Sequence, residues 1–177
     1  MSAIPYVPAD LGEPAAIVAA IRARRGGRLL NLDRMLLHSP NFARGWNSLL
    51  GATRCELALP ARLRELCICA VGLYNGAEYE VQQHSPPFLA AGGSLEQLQA
   101  LRSRHDGSGA ASLFDPTEGA ALRLCDAMSA KVQVPRPLVA QLRQMLGSDA
   151  LLVELVGVIA TYNMVSRFLV ALDVDLE

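Results

Sequence analysis

Nine consecutive residues in the middle of the chain, Leu66 to Tyr74 (LCICAVGLY), carry no charge. A helix that is apolar on every side has to be covered on every side, so this stretch predicts a central helix around which the other elements pack. Pro60 precedes it where a first-turn proline fits, because its missing N–H has no helical partner there. Asn75-Gly76 ends it, both residues tolerating a left-handed C-cap. Glu65 stands at the head of the apolar run, with Ile68, Cys69 and Gly72 three, four and seven positions on and therefore on its side of the helix. A second, short helix follows, carrying Glu80 and His84 one turn apart. Leu59 to His84 thus brings three proton-transfer groups from two consecutive helices joined by a turn.

The remaining segments also read as helices. Pro5 and Pro8 fix an extended arm over residues 1–12, and Glu13 to Arg25 form a helix with Ile17, Val18 and Ile21 on one face, ended by Gly26-Gly27. Leu29 to Leu37 make a short helix. Ser39-Pro40 open another to about Cys55, with Phe42, Trp46, Leu49 and Leu50 as its apolar stripe. Ser85-Pro86-Pro87 kink or restart the chain before Gly92-Gly93, and Ser94 caps the short helix SLEQLQALR. The segment HDGSGAAS, containing His105, reads as a surface loop. Asp115, with Glu118 three residues later, opens a helix containing Ala121, Leu122, Leu124, Cys125 and Met128. Leu138 to Leu146 form a short helix ended by Gly147, and Ala150 to Leu172 form the last. The last helix echoes the central one, each placing Glu-Leu before an apolar run that closes in Tyr-Asn, a weak sign of duplication. With 51% hydrophobic but only 5% aromatic residues, the expectation is an all-α bundle. Its 177 residues suffice for a single domain spanning 1–177, with 1–28 as an N-terminal arm and helix.

Several function classes are excluded at this level. A formal charge of -1 gives no basic footprint for nucleic acid. The longest uncharged apolar run falls short of the roughly 20 residues that span a bilayer. The first residues lack the basic and apolar regions of a signal peptide, so the expected location is cytoplasmic, with no membrane partner. Cys55, Cys67, Cys69 and Cys125 show no metal-ligand spacing, and Cys67 and Cys69 point about 200° apart on their helix. Buried reduced thiols are the plain reading, and no metal or cofactor is expected.

The runs LPARLREL, NGAEYEVQQH and AAGGS, followed late in the chain by TYNMVSRFLVALDV, resemble the carboxymuconolactone decarboxylase and alkylhydroperoxidase D-like (AhpD-like) superfamily. The resemblance covers about residues 30–172 and implies an AhpD-like helical bundle, a small-molecule substrate and assembly as a trimer or hexamer. In the peroxidase branch the pattern is Glu, then Cys-x-x-Cys, then His four residues after the second cysteine. Here the ends fall on Glu65 and His84, while the two cysteine positions hold Ala77 and Glu80. A dithiol peroxidase needs one thiolate to attack the peroxide and a second thiol to resolve the sulfenic acid, and alanine and glutamate do neither. The decarboxylase branch, which does not need the pair, fits better.

Decarboxylation of a carboxylated lactone leaves an electron pair to be stabilised and a carbon to be protonated. His84 or Glu80 is placed to donate that proton, with Glu65 holding the imidazole in its working tautomer. Arg62, Arg64 and Arg167 are candidate anchors for the substrate carboxylate. Each has a plainer reading. Glu80–His84 is also the spacing of an ordinary surface pair, and Glu65 is also a candidate for a buried ion pair with arginine. Glu78 reads as a capping-box residue three after Asn75. Tyr162, Asn163 and Arg167 read as packing between helices or subunits, and His38 and His105 carry no role. Three function classes remain. They are a carboxymuconolactone decarboxylase-like lyase, a peroxidase-related protein with peroxiredoxin activity through another thiol, and a homo-oligomer that has lost its chemistry. The apolar helices outnumber what one small domain encloses, which also points to a homo-oligomer with the N-terminal and last helices at its interface.

Overall fold

A computed structural model describes residues 2–103 and 111–177. Among the described residues it contains nine α-helices, a 3-10 turn and no strand, so the fold is all-α. The helices are α1 (Ala15–Arg24), α2 (Asn31–Leu36), α3 (Pro40–Cys55), α4 (Ala61–Tyr74), α5 (Glu78–Ala90), α6 (Leu95–Arg102), α7 (Pro116–Ala130), α8 (Arg136–Leu146) and α9 (Asp149–Ala171). His105 and most of the expected loop lie outside the described residues. The end of that segment enters the 3-10 turn Ala111–Leu113.

The chain forms two compact units, one of residues 1–57 and 168–177, the other of residues 58–167. In the first, α3 packs against α1 and α2. Its apolar contacts include the Trp46 ring, 5.1 Å from that of Phe168. Phe42 and Leu49, expected in the stripe of α3, are half exposed, while Trp46 and Leu50 are buried. The arm before α1 is tied to the end of the chain: Tyr6 Oη donates to Asp175 Oδ2 at 3.0 Å and Ala3 N to Leu172 O at 2.9 Å. Asp33, buried at the start of α2, accepts from Leu30 N at 3.0 Å and pairs with Arg25 at 3.1 Å. A buried carboxylate is tolerable because it is bonded in this way.

The second unit is organised by α4, against which α5, α6 and α7 pack. Leu66 through Val71 are all buried, as a helix apolar on every side requires. Pro60 is the N-cap of α4 rather than its first helical residue. At the other end Asn75 stays right-handed and Gly76 alone takes the left-handed conformation, φ +69°. Both capping predictions downstream hold. Ser94 Oγ accepts from Gln97 N at 3.1 Å, and Asp115 and Glu118 cap α7 reciprocally at 2.8 and 3.1 Å.

Pro86 and Pro87 do not restart the chain: α5 runs through both as one 13-residue helix. Their missing N–H groups cost the helical bonds to Gln82 and Gln83, but both carbonyls lie on residues that keep some exposure to water. α9 is long and apolar enough, by length and composition, to cross a membrane, yet half of its most apolar 18-residue window is buried inside the protein. Glu154 near its start accepts from Leu59 N at 2.7 Å. The asparagines of the two echoing Tyr-Asn pairs meet, Asn75 Nδ2 donating to Asn163 Oδ1 at 3.0 Å.

Candidate active site

Glu65, on the first turns of α4, and His84, in the middle of α5, meet as the sequence spacing suggests. Glu65 Oε2 lies 2.6 Å from His84 Nδ1. The two are 4% and 2% exposed. On the other side of the ring, Glu80 Oε2 lies 3.3 Å from His84 Nε2, and it has no hydrogen-bond partner among the described residues. All three residues expected to form the site are therefore in one buried cluster. The helix pair can come this close because position 72 is glycine. A Cβ there would sit 3.2 Å from Val81 Cγ2 and 3.3 Å from Glu80 Cβ.

The sequence reading missed a fourth member. Tyr162, read there as packing, comes from α9 and places its hydroxyl 3.1 Å from His84 Nε2, its ring edge-on to the imidazole at 5.0 Å. Its position among buried apolar residues of α9 gives the hydroxyl no local signal, and only the tertiary fold supplies the partner. His84 itself, assigned by the sequence to a short helix, is buried on a helix of ordinary length.

The three arginines separate. Arg64 Nε donates to Glu65 Oε1 at 3.2 Å and, with its side chain 14% exposed, links the cluster to the surface. Arg62 is engaged elsewhere, with Glu118 at 2.7 Å, Gln97 at 3.3 Å and the carbonyl of Gly92. Arg167 caps its own helix face, donating to Asn163 O and Oδ1 at 3.1 and 3.0 Å. Glu78 forms no capping box. It is exposed and holds Arg102 through two bonds of 2.6 and 3.1 Å.

Electrostatics distinguish the groups. Burial raises the Glu65 carboxyl, but the hydrogen bond and charge of His84, reinforced by Arg64, outweigh it and hold the group below the usual carboxylate range. An ionised carboxylate only accepts, so Nδ1 of His84 carries the hydrogen of that bond. Burial pushes the Cys69 thiol up to about 12, and the Glu65 carboxylate adds to the effect. Cys67 and Cys125 are also buried, whereas Cys55 is exposed. The described residues contain no group of three or more His, Cys, Asp and Glu suited to holding a metal ion.

An all-helical chain built around a buried Glu–His pair contributed by consecutive helices defines the class of protein. Residues 40–127 match the carboxymuconolactone decarboxylase family. No curated protein matches the chain. Among solved structures the fold is similar to an uncharacterised peroxidase-related protein from Silicibacter sp. TM1040, at 15% identity and a TM-score of 0.79, covering 99% of this chain and 92% of that one. It is also similar to a peroxidase-related protein with an alkylhydroperoxidase AhpD core from Ralstonia eutropha JMP134, at 17% identity and a TM-score of 0.80, with the same coverage. Residues 40–127 are thus similar to the carboxymuconolactone decarboxylase family, and the chain as a whole has the AhpD-like fold of these two structures.

Proposed function

We propose that the protein is a carboxymuconolactone decarboxylase-like enzyme that acts on a small carboxylated lactone or related acid, with Glu65, Glu80 and His84 as its acid/base group. The observation that carries this reading is the 2.6 Å bond between Glu65 Oε2 and His84 Nδ1 in a buried setting. A carboxylate on Nδ1 fixes the tautomer and leaves Nε2 for proton exchange. In the reaction the bond between the ring carbon and the carboxylate breaks, CO₂ leaves, and the electron pair passes into the lactone carbonyl. The charged His84 ring then delivers a proton to carbon and becomes neutral. Arg64 is the arginine suited to meet the substrate carboxylate, since it touches the cluster and reaches the surface. The working form is a homo-oligomer of the trimeric or hexameric kind that the resemblance implies.

The peroxidase-related reading finds less support in the chain's own residues. Ala77 and Glu80 occupy the two cysteine positions, and Cys69, the thiol subject to the fields of Glu65 and Glu80, is fully buried and pushed up to about 12. A thiol held that high is almost entirely protonated at neutral pH and is a poor nucleophile. The lost-chemistry reading expects Glu65 and His84 to stand apart, and they do not.

A panel of carboxylated lactones and hydroperoxides, assayed with purified protein before and after iodoacetamide, tests the proposal. It predicts CO₂ release from at least one lactone, unchanged by alkylation. Peroxide turnover abolished by alkylation, with no lactone consumed, would contradict it.

A further inference from the structure

The Nε2 nitrogen of His84 faces two groups at once, the Tyr162 hydroxyl at 3.1 Å and the Glu80 Oε2 at 3.3 Å. One ring nitrogen holds either a lone pair or a hydrogen, never both. We propose that Tyr162 and Glu80 are alternate positioning residues for this one nitrogen: Tyr162 donates to it when the ring is neutral, and Glu80 accepts from it when the ring is charged. The inference rests on the acid/base reading of the site and names the two residues that hold its working nitrogen in each state.

Three observations support it. Nδ1 is committed to Glu65 at 2.6 Å in either state, so only Nε2 changes. A hydroxyl can donate to a bare nitrogen, whereas a carboxylate cannot. Glu80 Oε2, on a side chain 2% exposed, has no hydrogen-bond partner in the arrangement described. A buried acceptor left unbonded is unfavourable, and a hydrogen on Nε2, 3.3 Å away, would relieve it. Other charged or titratable groups described on the neighbouring helices have commitments of their own. From α4, Glu65 holds Nδ1, Arg64 is bound to Glu65, and Cys69 is pushed up to about 12 and stays neutral. From α6, Arg102 acts on Cys69 but is bound to Glu78. On this geometry the ring passes between its two states by exchanging one bond for another, without a change of rotamer.

The test is ¹⁵N NMR of the histidine ring nitrogens across about pH 5 to 9, with the His84 signals identified by their loss in His84→Gln. In the wild type at the alkaline end, Nδ1 should show the shift of a protonated nitrogen and Nε2 that of a hydrogen-bonded acceptor. Tyr162→Phe removes a bond that only the neutral ring makes, so the His84 titration should move to higher pH. Glu80→Gln removes the charge that favours the protonated ring, so the titration should move to lower pH. Each displacement should be on the order of one pH unit, a tenfold change in proton affinity. Displacement of both variants in one direction, no displacement in either, or a wild-type ring protonated on Nε2 at the alkaline end would overturn the proposal. The wild-type measurement decides even if a variant does not fold. None of these readouts needs a substrate, so a lactone panel without turnover would sink the decarboxylase reading and leave this test standing.

Discussion

Glu65 is a carboxylate at the head of an apolar helix, and its partners decide whether it stabilises the protein. Because His84 and Arg64 hold its carboxyl below the usual range, the folded state binds this proton less tightly than the unfolded chain does. Its contribution is therefore complete above the ordinary value near 4.5 and is lost as pH falls through the depressed one. Glu65→Gln keeps the shape but loses the charge. We expect it to lower stability at neutral pH by about 1–3 kcal/mol, with the difference from wild type narrowing below about pH 4.5 in thermal melts. A difference that stays constant down to acid pH would show that the carboxylate is not paired as described. The spacing of Glu65, Glu80 and His84 made this part of the site legible in the sequence, since helical periodicity alone puts each residue on a known face. Tyr162 was not legible: 78 residues separate it from His84, and a tyrosine among buried apolar residues looks like core until its hydroxyl finds a partner. The choice among the arginines was not legible. Helical spacing would bring Arg62, three before Glu65, to its side, yet it is the adjacent Arg64 that bonds Glu65 while Arg62 turns to Glu118.

At the scale of elements, the meeting of α4 and α5 depends on Gly72. Gly72→Ala would place a methyl 3.2 Å from Val81 Cγ2 and 3.3 Å from Glu80 Cβ, forcing the two helices apart. We expect a loss of about 1–3 kcal/mol in denaturant unfolding. The cost should include a weakened Glu65–His84 bond, visible as a changed ring signal of His84. An unchanged signal in a folded variant would mean that the helix spacing does not set the site. Gly72 entered the sequence reading only as a neighbour of Glu65 on the helix. Its role as the closest approach to the next helix needed the packing. Capping was the most readable feature at this scale, because Ser94 with Gln97 and Asp115 with Glu118 are local patterns that the fold need not override. Asp115→Ala should cost about 1 kcal/mol in the same assay. The double proline was the least readable. Pro86-Pro87 normally breaks a helix, but the carbonyls it leaves unbonded are on residues near water, and Phe88 just beyond is fully buried, which holds the last turns of α5 in place.

For the whole molecule, the all-α class followed from composition and from the absence of alternating patterns, and the family likeness from motifs in the middle and late parts of the chain. What remained hidden was which surfaces the long helices leave bare. Val153 on α9 is 70% exposed, and Met164, on the same helix, is also exposed. We expect light scattering at micromolar concentration to report an oligomer, and Val153→Arg to dissociate it with little change in fold, because an exposed side chain contributes little to the core. A monodisperse wild-type monomer would contradict the oligomeric proposal. The most direct test of the buried Glu–His pair as a site of chemistry is CO₂ release from a carboxylated lactone by wild type and His84→Gln, with circular dichroism confirming that both are folded. Turnover by the wild type and a loss of about 10²–10⁴-fold in the variant are expected, the usual contribution of a positioned acid/base group. Equal rates in the two proteins, or no lactone consumed by the wild type, would contradict that reading of the pair.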